Sequence, residues 1–144
     1  MKSAVITDLM IKDHAAIIRL LNDVKKNLNE DRVKLMRFYD DFKWKLEKHF
    51  FTEEKAVFTM YEPNDVKTGY RMLPELINEH NTLLNKLDIM RKDLIMCRSI
   101  DFDGFTESLV KHKNFEEVNL YPKLDQTLND EQKKIIINRI KEMM

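Results

Sequence analysis

Residues 48–54 read KHFFTEE and residues 111–117 read KHKNFEE, the same K-H-x-x-x-E-E placed 63 positions apart in a chain with only four histidines. Imidazole and carboxylate are the side chains that move protons near neutral pH and hold first-row metals. A Glu four residues after a His lies on the same helix face, one turn on. The pattern therefore reads as two preformed pairs, His49 with Glu53 and His112 with Glu116.

The other two histidines repeat as well. Residues 11–21, IKDHAAIIRLL, and residues 77–87, INEHNTLLNKL, share the form I-x-acid-H-x-x-aliphatic-aliphatic. The order along the chain is His14, His49 with Glu53, His80, His112 with Glu116. That is two copies of one helical hairpin, each with a lone His and a His–Glu pair.

The elements that must position these groups are long helices. The chain has 144 residues, two Gly, three Pro and 35% charged residues, a composition rich in helix formers and poor in breakers. Helical periodicity marks a first helix from about Thr7 or Lys12 to Leu28, then a polar break at Asn29–Asp31 able to cap a second, Asp31 to Tyr61. Pro63 to Gly69 reads as a connection, with Pro74 in the first turn of a third helix ending near Arg98. Asp101 or Asp103 caps a fourth helix, which Pro122 should bend or end. An amphipathic stretch at about 130–143, with Ile135, Ile136, Ile137 and Ile140, reads as a short fifth helix packed on the others.

The fold expected is all-α: an up-down-up-down antiparallel four-helix bundle over about residues 5–125, plus the C-terminal helix, as one domain spanning 1–144. In such a bundle, early positions on odd helices meet late positions on even ones. His14 and His80 are early and the His–Glu pairs are late, all on apolar stripes, so the six side chains should converge at one end of the core. A single His on an apolar stripe is ordinarily a hydrogen-bonded core residue. Six ionisable groups buried together need a stronger compensation, and metal supplies it. Six N/O donors exceed one tetrahedral zinc, and Cys97 lies too far along its helix to add a thiolate. Two glutamates can bridge a metal pair, each metal finished by two imidazoles, which suits iron, with manganese the other candidate.

The motifs IKDH, KHFFTEE, INEH and KHKNFEEVNLYP together resemble the hemerythrin-like, or HHE cation-binding, family over about residues 5–125. The resemblance implies a non-haem di-iron centre with an oxo or hydroxo bridge. Glu53 and Glu116 would bridge the irons, His14 and His49 would bind one, and His80 and His112 the other. Oxygen-carrying members have a further His one turn after the third helix's ligand, where this chain has Leu84. The resemblance thus implies a four-His site, similar to those of iron-sulfur cluster repair proteins and of relatives linked to nitric oxide or peroxide.

The function expected is binding of, or reaction with, O2, nitric oxide or peroxide, for sensing or detoxification, in a pocket walled by Ile17, Ile18, Leu46, Leu83 and Leu84. Leu84 argues against simple O2 carriage, and reductase-like turnover of nitric oxide or peroxide is the enzymatic form of the same reading. The alternative is iron handling by storage, delivery or cluster repair, and the plainest one is a metal-free structural bundle. Glu54, Glu117, Asp13 and Glu79 read as solvated or as partners of the imidazoles, and Tyr61 and Tyr121 as core or rim residues.

Formal net charge is zero, which gives no support to nucleic-acid binding. One Cys suits a reducing compartment, Asp8 comes too early for a signal peptide, and no apolar run is long enough to span a membrane. A cytoplasmic monomer or homodimer is expected.

Overall fold

The computed structural model describes the backbone of residues 4–60 and 66–144, and the side chains of 4–60 and 72–144. It is all-helical, with no strand among the described residues. The helices are α1 (Val5–Lys26), α2 (Arg32–Thr52), α3 (Val66–Ile95), α4 (Phe102–Phe115), α5 (Tyr121–Thr127) and α6 (Asp130–Met143). Two π-helical turns follow α2 and α4, at Glu53–Val57 and Glu116–Leu120, and a 3-10 turn at Phe58–Met60 ends the first of these segments.

Helix starts follow local chemistry. The Asp31 carboxylate accepts from the Lys34 N–H, and that of Asp101 from the Gly104 N–H. Asn129 and Gln132 form a reciprocal capping box at α6. α1 has no such local cap. Its first donors are taken by Asp125 of α5, which accepts from the backbone N–H of Ile6 at 3.1 Å and of Thr7 at 2.8 Å, and from the Thr7 hydroxyl at 2.6 Å. Lys133 of α6 lies 3.6 Å from the same buried carboxylate, so one side chain ties three helices together.

Two prolines behave differently from the sequence expectation. α3 begins at Val66, so residues 66–69 are helix rather than connection and Pro74 lies inside it. The rest of the expected connection, Pro63 to Asp65, and Tyr61 lie outside the described residues. Pro122 does not end the fourth helical segment. It occupies the first turn of α5, where a missing N–H is tolerated.

Buried positions recur every three or four residues: Ile6, Met10, His14, Ile17, Leu21 and Val24 on α1, and Phe102, Phe105, Leu109 and His112 on α4. On α2, Tyr39 is fully buried, and its hydroxyl donates to the Leu87 carbonyl at 2.6 Å. α1 packs on α2 and α4, and α3 on α2 and α4. Cross-helix pairs mark the alignment: Thr7 with Asp125, Lys25 with Asp103, Asp40 with Arg91.

The apolar core is divided. One cluster holds Ile6, Met10, Val57, Leu76, Leu120 and Leu124, together with Ile136 and Ile140 of α6. The other holds Ile17, Leu21, Phe42, Leu46, Leu87, Phe105 and Leu109. The four histidines and the two inward glutamates belong to neither cluster, and along α1 His14 falls between Met10 of one and Ile17 of the other. The expectation that they meet at one end of the core is corrected: α5 and α6 bring a further apolar cluster beyond them.

Removing one partner of a buried ion pair costs about 3–5 kcal/mol. Asp125→Ala is expected to lose stability of that order in chemical denaturation, because it also strips the acceptors from the start of α1. A loss within the range of an ordinary surface substitution would show that Asp125 does not anchor α1.

Candidate metal centre

His14 and His80 project from α1 and α3, and His49 and His112 from the last turns of α2 and α4. Glu53 and Glu116 are the first residues of the two π turns. In each π turn the glutamate's carbonyl accepts from the N–H five residues on, Phe58 in one copy and Tyr121 in the other. The first copy has no proline there, so Pro122 is not what widens the turn. The feature common to both is the His-x-x-x-Glu-Glu segment itself.

All six side chains are at most 4% exposed. His49 Nε2 lies 3.1 Å from Glu53 Oε1, and His80 Nε2 lies 3.4 Å from the same oxygen. His112 Nε2 and His14 Nε2 lie 3.3 and 3.4 Å from Glu116 Oε1. Ligand atoms of Glu53, His80, His112 and Glu116 form one group within 4.8 Å of one another, and those of His14, His49 and Glu116 form a second. Glu116 is common to both.

The outer ring nitrogens are held by a second set of carboxylates arranged by the repeat. Asp13 lies 2.5 Å from His49 Nδ1, and Glu79 lies 2.8 Å from His112 Nδ1. Each is the acid just before the lone His, and each serves the paired His of its own copy. Glu117 lies 2.7 Å from His14 Nδ1, and Glu54 lies 3.7 Å from His80 Nδ1. These are the second acids of the two Glu-Glu pairs, and they cross to the lone His of the other copy. A carboxylate on Nδ1 fixes the proton there and turns the Nε2 lone pair inward. His80 is the exception: it stacks on Phe50 with ring centroids 3.9 Å apart and planes at 9°.

Buried polar atoms almost always have partners. Here Glu53 Oε1, His80 Nδ1 and Nε2, His112 Nε2 and Glu116 Oε2 make no hydrogen bond. Four of the five point at the same small volume as the ligand groups above, where a cation would satisfy them together. The buried His/Glu cluster fits a metal site. The hemerythrin HHE cation binding domain matches residues 5–124. The chain belongs to this family. No curated protein and no solved structure matches it.

The electrostatics of this HHE domain follow from the same packing. Burial alone would depress the imidazoles, but the charge of Glu53 and the hydrogen bond His49 donates to Asp13 raise His49 to about 10. Against the same burial, Glu116 and Glu53 raise His80 to about 9, and Glu116 raises His112. Burial opposes ionisation of Asp13, yet His49 and then Lys45, 2.6 Å away, bring it down to about 2. Glu116 is held well below the usual carboxylate range despite its burial, by contacts that include three imidazoles.

A cavity of about 10 Å3 lies against His14, His49 and His112, walled by Ile17, Ile18, Leu46, Phe50 and Leu109. Of the residues expected to form a pocket, Ile17, Ile18 and Leu46 line it. Leu83 instead faces a surface recess beside Glu79 and His112, and Leu84 is partly buried against the apolar cluster on the Ile17 side. Ile18 and Lys113 also line a groove of about 440 Å3 along α1 that is open to solvent.

Tyr121, expected in the core or at the rim, is within the cluster. Its hydroxyl donates to Glu53 Oε2 at 2.7 Å and to Glu116 Oε1 at 3.3 Å, and lies 3.2 Å from His14 Nε2. Burial, then the charges of Glu116 and Glu53, push this phenol well above its ordinary range. An ideal α-helix would carry residue 121 off the face of Glu116. The π turn brings it back, and α-helical periodicity gives no signal of that.

The raised imidazoles contribute stability to the metal-free fold that is whole below pH ~6.5 and lost as pH rises through their folded values of about 9 and 10. Metal competes with those protons for Nε2. Metal uptake at pH 7 is expected to release at least about two protons per chain, those of His49 and His80 among them. Calorimetry in buffers of different ionisation enthalpy measures that number. Metal uptake with no proton release would contradict the charge assignment.

Proposed function

We propose that this HHE domain is a non-haem di-iron protein that binds or reacts with a small ligand, O2, nitric oxide or peroxide, for sensing or detoxification. The observation that carries the proposal is the convergence of four imidazole Nε2 atoms and two carboxylates in one buried layer, with three of the four Nδ1 atoms already committed to carboxylates. On this reading His14 and His49 hold one iron, His80 and His112 the other, and Glu53 and Glu116 lie between them. Two imidazoles and shared carboxylates per metal suit iron, and manganese is the other metal this donor set accepts. The metal pair, when bound, supplies coordination positions and electrons for the small ligand.

The chain's own residues contribute the rest. Asp13, Glu79 and Glu117 orient the imidazoles. Ile17, Ile18, Leu46, Phe50 and Leu109 keep the adjacent cavity apolar, and at about 10 Å3 it is about the size that one water fills. We read the whole chain as one domain with an up-down-up-down antiparallel bundle. The Thr7–Asp125 and Lys25–Asp103 pairs and the burial of Ile136 and Ile140 beside Ile6 support this. No helix among the described residues is long and apolar enough to cross a membrane. We further infer a cytoplasmic protein, monomeric or dimeric.

The test is an optical titration of iron-loaded, reduced protein with O2, nitric oxide and peroxide in turn. The proposal expects new charge-transfer bands with at least one of them. Ile18→Ala, which opens the wall shared by cavity and groove, should speed their appearance. Iron that stays spectroscopically silent to all three and passes readily to a chelator would favour storage, delivery or cluster repair instead.

A further inference from the structure

The two ligand groups are unequal. Glu53, His80, His112 and Glu116 make a set of four donors, whereas His14, His49 and Glu116 make only three. Glu53 Oε1, 3.1 Å from His49 Nε2, also borders the second group, so what sets the His14 side apart is a donor that is neither imidazole nor carboxylate. Tyr121 Oη is there, 3.2 Å from His14 Nε2 and 3.3 Å from Glu116 Oε1, with the whole residue inaccessible to solvent.

The repeat also shows that this hydroxyl is specific to one side. Residue 121 follows Glu116 by five positions, and the equivalent position after Glu53 is Phe58. The two residues occupy matching places, each donating the backbone N–H that closes a π turn and each against the lone histidine of the other copy. Phe58 lies against His80 with centroids 5.9 Å apart, and Tyr121 against His14 with centroids 5.6 Å apart. One copy offers an apolar ring, the other a phenol oxygen. The phenol of the second copy thus stands beside His14 of the first.

Resting on the di-iron reading, we propose that Tyr121 is a further metal ligand, binding as phenolate to the iron held by His14 and His49. The phenolic proton, now donated to Glu53, leaves to solvent when the oxygen binds the metal. The two iron positions are then chemically distinct: the Tyr121 side carries a hard anionic oxygen that favours the ferric state, and the Phe58 side does not.

The experiment is resonance Raman and optical spectroscopy of the air-oxidised, iron-loaded chain, with iron content measured on the same samples. The expected result is a visible phenolate-to-iron charge-transfer band, and tyrosinate ring vibrations enhanced within it that shift when the protein is made with ring-deuterated tyrosine. Tyr121→Phe should abolish both, and Phe58→Tyr should add a second such band. If Tyr121→Phe does not fold, the vibrations should survive Tyr39→Phe, Tyr61→Phe and Tyr70→Phe singly, which leaves Tyr121 as their source. Two irons per chain without tyrosinate vibrations, or vibrations that persist in Tyr121→Phe, would overturn this inference while leaving the di-iron reading intact. A chain that binds no iron would overturn both.

Discussion

Two carboxylates and four imidazoles held away from water between apolar clusters are the constraint on which this structure turns. Glu53 and Glu116 are fully buried, and an isolated buried carboxylate is too costly for a marginally stable fold to carry. Compensation must come from positive charge at the same place. Without metal it comes from protons, which is why His49 and His80 rise to about 10 and about 9 while Glu116 is lowered. With metal, the cation takes that role and the protons leave. The packing around the layer serves both states, because the same Nδ1 partners orient a charged ring and a coordinating one.

The π turns are what make one short motif serve two helices at once. In His-x-x-x-Glu-Glu the first glutamate faces inward, one turn beyond its histidine. The second sits where an α-helix would send it away from the layer, yet Glu117 reaches His14 of the opposite copy at 2.7 Å. The acid before each lone histidine instead serves the paired histidine of its own copy, Asp13 for His49 and Glu79 for His112. Each hairpin is thus incomplete alone, since its lone histidine is addressed from the other. Asp125 reinforces the closure from outside, joining the start of α1 to α5 and α6.

Much of this was legible in the sequence because it depends on period and spacing. The stripes of α1 and α4, the caps at Asp31 and Asp101, the bounds of α6 and the meeting of His14, His49, Glu53, His80, His112 and Glu116 all follow from helical periodicity and the internal repeat. What was not legible depends on departures from the ideal helix or on distant partners. Pro74 and Pro122 read as boundaries, but the interior of α3 carries one and the turn after a π segment admits the other. Tyr121 read as a core or rim residue, and an α-helical wheel turns it away from Glu116. Only the widened turn, with Phe58 as its repeat counterpart, shows why it stands in the cluster. The Asp125 cap spans 118 or more residues of sequence and leaves no local pattern.

The most direct measurement is the crystal structure of the iron-loaded protein with anomalous data collected across the iron edge. The account predicts two anomalous peaks within the polar layer, roughly 3.5–4 Å apart as in other two-metal sites. One should be ringed by His14 and His49, the other by His80 and His112, with Glu116 reaching both. A single peak, or none with the six side chains keeping the same positions, would contradict it and leave the doubled His-x-x-x-Glu-Glu as a device of packing.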